Sequence, residues 1–174
     1  MALRNEAEQW LQTVGTDQWS DAATASRALK SWQENIDSGM TWVVVNELDS
    51  IIATATRSVA DRDFWRAEDS PESALYLSKI IVSRRMAGQN IGGLILDWAS
   101  QLAALEARNW VRLDVWRTNT NLHTYYKRHG FRHVRTEAPS HRLSGWLGQR
   151  PAGTVLFPEM PLVPTHHEEI PDPV

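Results

Sequence analysis

The sequence predicts a mixed α/β fold, a central sheet of mixed strand direction flanked by helices. Three observations carry that expectation. Apolar residues switch repeatedly between a spacing of three to four and strict alternation. Strand and helix signals interleave through the middle of the chain, and two such strand–helix units imply some parallel pairing. The 174 residues correspond to about one domain, placed at residues 1–163 with a disordered tail over 164–174.

In chain order, Ala2 to Thr13 is a helix through Ala7, Trp10, Leu11 and Val14, stopped at Gly15. Asp21 to Ile36 repeats the pattern through Ala25, Ala28, Leu29 and Trp32 and closes at Ser38-Gly39. Thr41–Val45 and Ile51–Val59 are β-branched runs around a turn at Glu47–Ser50, hence a hairpin. "DRDFWRAEDSPES" is polar and Pro-containing, hence a loop. Ala74–Val82 is mostly apolar, as expected of a central strand covered on both faces. A long helix follows from Ile91 to Ala107, then an alternating strand, Trp110–Trp116. Asn119 to His129 is a short helix ended by Gly130. "FRHVRTE" and "TVLFPEMPL" are expected as the last strands, with the polar stretch Ala138–Gly153 between them as a long loop.

Composition removes several classes of function. There is no cysteine, so neither disulfides nor thiolate chemistry are available. The net charge is −3 and basic residues cluster only locally (KRHGFRHVR), which argues against nucleic acid as a partner. No apolar run reaches the roughly 20 residues of a membrane span, and the N-terminus lacks a signal peptide's apolar core. The expectation is a cytoplasmic protein without a membrane partner. Most of the nine tryptophans are expected in the core or in a pocket wall.

The stretch "RRMAGQNIGGLIL" joins the Ala74–Val82 strand to the long helix. A helix N-terminus offers unpaired N–H groups and partial positive charge, and glycines let an anion approach the backbone. Gly88, Gly92 and Gly93 fit that use; they also fit a plain turn followed by close helix packing. The spacing is neither GxGxxG nor a Walker loop, because residue 90 is Asn and no GK[ST] follows.

On these residues the chain resembles the GCN5-related N-acetyltransferases. Their first signature, Arg/Gln-x-x-Gly-x-Gly/Ala after a strand, is matched by Gly88, Gln89, Ile91 and Gly92, while Ala87 and Asn90 depart from it. Their second signature is a strand, Asn, and a helix carrying Tyr and closed by Gly-Phe. "LDVWRTNTNLHTYYKRHGF" matches it with Leu113, Val115, Asn119, Leu122, Tyr126 and Gly130-Phe131. The resemblance spans roughly Leu3 to Ala152 and implies the family's fold. The family usually opens with a strand before the first helix, so either the sheet lacks its first edge strand or the start lies upstream.

The resemblance further implies acetyl transfer from acetyl-CoA to a primary amine by direct attack, with no metal. It places CoA on the backbone over Ala87, Gly88, Gln89, Asn90, Ile91, Gly92 and Gly93, along strand-edge backbone at Ile81 and Val82, and near Asn119 and Tyr126. One or two of Arg84, Arg85, Lys127, Arg128 and Arg132 would meet the 3′-phosphate. Tyr126 stands where the general acid stands, though packing against CoA is the plainer role. Asp114 stands where one branch has a Glu, twelve residues before the tyrosine, and is the leading candidate base, acting through a water. It reads equally as a carboxylate paired with Arg112 or Arg117. Glu47, Asp63 and His123 are weaker candidates. If residue 90 needs a positive φ, Asn is the least costly replacement for Gly, but its Cβ is expected to weaken CoA binding.

The acceptor, a small-molecule or peptide amine, would lie against Val14–Asp21 with Trp19 and against Ala138–Gly153 with His141 and Trp146; Trp65 and Trp116 are further wall candidates. Family members are often dimers, so a homodimer is compatible. A CoA-binding or protein-interaction module that has lost efficient catalysis is the alternative, favoured by Ala87 and Asn90 and opposed by Asn119, Tyr126 and Gly130-Phe131. Action on aminoacyl-tRNA ranks low for want of a broad basic surface.

Overall fold

A computed structural model describes residues 2–19 and 22–159, with backbone alone over 22–28. The elements are α1 (Ala2–Thr13), α2 (Ala22–Asp37), β1 (Thr41–Val45), β2 (Ile51–Ser58), β3 (Ala74–Val82), α3 (Ile91–Leu105), β4 (Trp110–Trp116), α4 (Thr120–Arg128), β5 (Arg132–Thr136) and β6 (Ser144–Pro151). Their six strands form one sheet in the order β1-β2-β3-β4-β6-β5. β3 and β4 run parallel and every other neighbouring pair is antiparallel. The expected mixed sheet is therefore present, and the parallel step is the crossover through α3. Among the described residues no strand precedes α1, and β1 holds the sheet edge. No described helix is long and apolar enough to cross a membrane.

Alternation along β3 explains the layering. Leu75 and Leu77 join Leu96, Ala99 and Ala103 of α3 in the main core, with Val111, Leu113 and Phe131. Ala74 and Tyr76 join Phe64, Trp65 and Leu147 in a separate cluster. The stretch read as a polar loop thus sends Phe64 and Trp65 into the protein, each under 4% exposed. The Arg112 guanidinium lies 4.7 Å from the Trp65 ring, which pays for no charge of its own and offers a π-face to a buried cation.

The end of the chain departs from the sequence expectation. The last strand is Ser144–Pro151, inside the supposed loop, and it lies between β4 and β5. Residues 154–159 form no strand, and the rest of the expected strand lies outside the described residues, as does the 164–174 tail. The reason is a buried polar pair that periodicity does not reveal. Arg150 is fully buried and ion-pairs with Asp97 of α3. The second Asp97 oxygen accepts the backbone N–H groups of Leu156 (2.8 Å) and Phe157 (2.7 Å), fixing this segment on α3 instead of in the sheet. Gln149 is buried too, accepting from Arg112 Nε at 3.1 Å. Gly148 is required because a Cβ there would come 2.7 Å from the Trp146 ring.

Candidate active site

β3 and β4 pair only from Ala74–Trp110 to Tyr76–Arg112 and then part. Two devices hold them open. A bulge in β3 places Lys79 in the left-handed region (φ +51°) and shifts the register against β2. At the far end Trp116 Nε1 and Thr118 Oγ1 donate to Asp17 Oδ1 (2.8 and 2.7 Å), and Asn119 Nδ2 donates to Gln18 Oε1 (2.8 Å). The connection between α1 and α2 thereby clasps the start of α4.

The splay opens into two adjoining cavities. One, of about 540 Å³, runs from the splay to the loop before α3. The other, of about 290 Å³, lies between the diverging strands. Trp19, Leu122 and Tyr126 are walls of both.

The loop is built to leave backbone donors free. Ser83 Oγ accepts from Arg85 N, and Ala87 N and Gln89 N are used on Arg84 O and Met86 O. Among the described residues Gly88 N and Asn90 N have no backbone partner, and the first-turn amides of a helix such as α3 have no intrahelical one. Gly88 adopts φ +84°, with open space where a Cβ would stand. Ala87, Gly88, Asn90, Ile91 and Gly92 line the larger cavity, as do Ile81 and Val82. Gln89 and Gly93 are outside its wall.

Asn90 has φ +56° and ψ 20°, the left-handed conformation in which Asn is tolerated. Its side chain turns back over Gly93, where any Cβ would collide with the amide, and Oδ1 lies 3.4 Å from His129 Nε2. Asn90 and Gly93 are thus one unit: the second glycine makes room for the side chain that replaces the first. A Cβ at Gly92 would run into the Tyr125 hydroxyl, so this glycine is needed for contact between α3 and α4.

Tyr126 is buried, and burial holds its phenol well above the ordinary value of 10.0. Its hydroxyl makes no hydrogen bond among the described residues. Tyr125 is pushed up to about 12 by the same cause and lines only the larger cavity. Asp114, partly buried on β4, is the one carboxylate among the described residues that lines either cavity. Burial raises its pKa above 3.8, against a hydrogen bond from Ser144. It is not paired with Arg112 or Arg117: Arg112 serves Gln149, Tyr76 and the carbonyls of Asp69 and Ser70, and Arg117 serves the Arg142 carbonyl.

The other candidate residues divide. Trp19 and Trp116 line the smaller cavity, with Ser144 from β6. Trp146 is core, stacked between His123 and His133, and Trp65 is core also. His141 lies 3.3 Å from Asp63, which itself pairs with Arg142. His123 Nε2 is 2.8 Å from the Trp116 carbonyl, and Glu47 is exposed in the hairpin turn. Asn119 caps α4 through Leu122 N (3.0 Å), so both ends of its amide are used within the protein. Of the cations offered for a phosphate, Arg84 borders the larger cavity, over Trp10 at 4.2 Å, and Arg132 lies over Trp110. Sequence reasoning missed Arg4, Trp32 and Lys79 in the smaller cavity. They sit on elements read as scaffold, and no local spacing marks them.

Residues 37–133 match the family model described as the acetyltransferase (GNAT) domain. The chain belongs to the GNAT acetyltransferase family. It is 29% identical over 138 residues to the uncharacterised N-acetyltransferase YesJ of Bacillus subtilis, covering 78% of this chain and 76% of that protein. A GNAT-family acetyltransferase from Listeria monocytogenes has the same fold, with a TM-score of 0.68 at 23% identity over 86% of this chain and 84% of that one. So does a GNAT phosphinothricin acetyltransferase from Sinorhizobium meliloti solved with AcCoA, with a TM-score of 0.52 at 20% identity over 76% and 71% of the two chains. Membership in the GNAT family makes this chain an acyltransferase.

Proposed function

We propose that the chain is an acetyl-CoA-dependent N-acetyltransferase that acetylates a primary amine, on a small molecule or a peptide N-terminus, by direct attack. The observation that carries this reading is the shared wall: one buried phenol, Tyr126, faces both cavities, and one carboxylate, Asp114, lines the smaller. The larger cavity suits CoA. The amides of Gly88 and Asn90 and of the first turn of α3 would hold its pyrophosphate, with open space at Gly88 and the edge of β3 at Ile81 and Val82 beside the pantetheine arm.

Acetyl-CoA supplies the acetyl group as a thioester. Transfer forms one N–C bond and breaks one C–S bond, and the proton count closes through two residues. Asp114, made more basic by burial, takes the proton from the amine, directly or through a water. The Tyr126 hydroxyl stays neutral at working pH and gives a proton to the departing thiolate. Both residues return to their starting states through solvent. Asn119 and the Asp17–Gln18 clasp position α4, and so Tyr126.

The test is CoA release followed by a thiol reagent across a panel of primary amines, with isothermal titration of CoA alongside. Amine-dependent release that falls in Tyr126→Phe is expected. Absence of both CoA binding and release would overturn the reading.

A further inference from the structure

The smaller cavity carries charge of opposite sign on its two walls. On the β4 side stands Asp114, beside Ser144 of β6. On the β3 side stand Lys79, at the bulge, and Arg4 of α1. Lys79 has no ion pair within 4 Å among the described residues; its ammonium donates to Ser31 Oγ at 3.4 Å and feels the nearby charges of Glu34 of α2 and of Arg4. Arg4 is 6% exposed. Its Nε and Nη2 are used on Glu8 at 2.7 Å, its Nη1 has no partner among the described residues, and its guanidinium lies 5.6 Å from the Trp19 ring. Trp32, 4% exposed, lines the same cavity, and its indole N–H has no hydrogen-bond partner among the described residues. A buried donor left unmade is costly, and here it stands with two cations around one small space.

From this we infer that the acceptor is a small amine that also bears a carboxylate, an amino-acid-class substrate. Its amino group faces Asp114, and its carboxylate is held by Lys79, the free edge of Arg4 and the Trp32 N–H. The inference rests on the acetyl-transfer reading above and narrows it. A volume of about 290 Å³ admits a compound of that size and not a folded protein surface. Polyamines and other purely cationic amines would set their charge against Lys79 and Arg4 and are excluded as good acceptors. Trp19 and Trp116 supply apolar wall for a side chain.

Matched sets of an α-amino acid, its primary amide and its decarboxylated amine, in the methionine, phenylalanine and leucine series, test the assignment by CoA release. The amide has the more readily deprotonated amine, so preference for the acid would come from the site and not from intrinsic reactivity. In at least one series the acid is expected to exceed its amide about tenfold in kcat/KM, and Lys79→Gln to bring that ratio below about threefold. Partners lacking the carboxylate preferred in every series that reacts would overturn the carboxylate site while leaving acetyl transfer intact. If no amine releases CoA, transfer fails, and tryptophan fluorescence with CoA present decides the site by binding. Quenching by the acids that Lys79→Gln abolishes supports it, and no response to any acid overturns it.

Discussion

The two cavities of this GNAT protein meet at Tyr126 and are made of different material. The larger is bounded on its loop side by backbone, glycines and amides beside the edge of β3, and elsewhere by mostly apolar and aromatic side chains, with one cation and no carboxylate in its wall among the described residues. The smaller is bounded by side chains drawn from seven places in the chain, with Arg4, Lys79 and Asp114 among them. A backbone site binds whatever presents phosphates to it and tolerates changes of side chain. A side-chain site recognises one arrangement of charge and fails when a single group is altered. Donor binding should therefore be robust to substitution, and acceptor use fragile.

Tyr126→Phe should break that contrast where the cavities join. Loss of the proton donor is expected to lower kcat by about a hundredfold, in the range for general acids, while CoA affinity by isothermal titration stays within about threefold because packing is kept. A hydroxyl that only packs would leave kcat nearly unchanged.

Asp114→Asn comes next, and it separates activity from stability. We expect kcat/KM to fall by at least about thirtyfold. For stability the sign is fixed by burial. A carboxylate whose folded pKa exceeds its unfolded value of 3.8 loses native stability as pH rises through that interval. The variant should therefore melt at the same or a higher temperature than wild type at pH 7, with the advantage gone below pH 3.8. The same raised pKa predicts that the acid limb of wild-type kcat/KM lies above the ordinary carboxylate range. A variant that melts lower at neutral pH would contradict this.

The donor side gives smaller effects. Gly93→Ala drives a methyl group into the Asn90 amide, which must move toward the cradle. CoA affinity is expected to weaken by about tenfold, one hydrogen-bonded anion contact's worth, with kcat at saturating CoA little changed. Asn90→Gly should do least. The side chain already turns away over Gly93, so titration should find CoA affinity within about threefold of wild type. A large gain in affinity would mean that the Asn90 side chain obstructs the phosphates after all.

Legibility in the sequence follows the same division. The loop bounding the larger cavity was readable because backbone geometry leaves local marks: a strand, glycines at set spacing and a helix start. Tyr126 and Asn119 were readable for the same reason, being spaced along one strand–helix unit. Asn90 was marked as a departure, but its partnership with Gly93 depends on a rotamer that spacing does not encode. Arg4, Trp32 and Lys79 were invisible because three distant segments bring them together. The Ser144–Pro151 strand was hidden by its own composition. Gly148, Gln149 and Arg150 read as loop until Asp97 and Arg112 are placed opposite them, where ion pairing and hydrogen bonding override local propensity.

On this reading donor and acceptor occupy adjoining cavities joined at Tyr126. A crystal structure with CoA tests it most directly. The pyrophosphate is expected on the amides of Gly88, Asn90 and the first turn of α3, and the thiol within hydrogen-bond reach of the Tyr126 hydroxyl, with the cavity beside Asp114 left open. A thiol directed away from Tyr126, or CoA filling the Asp114 cavity, would contradict it.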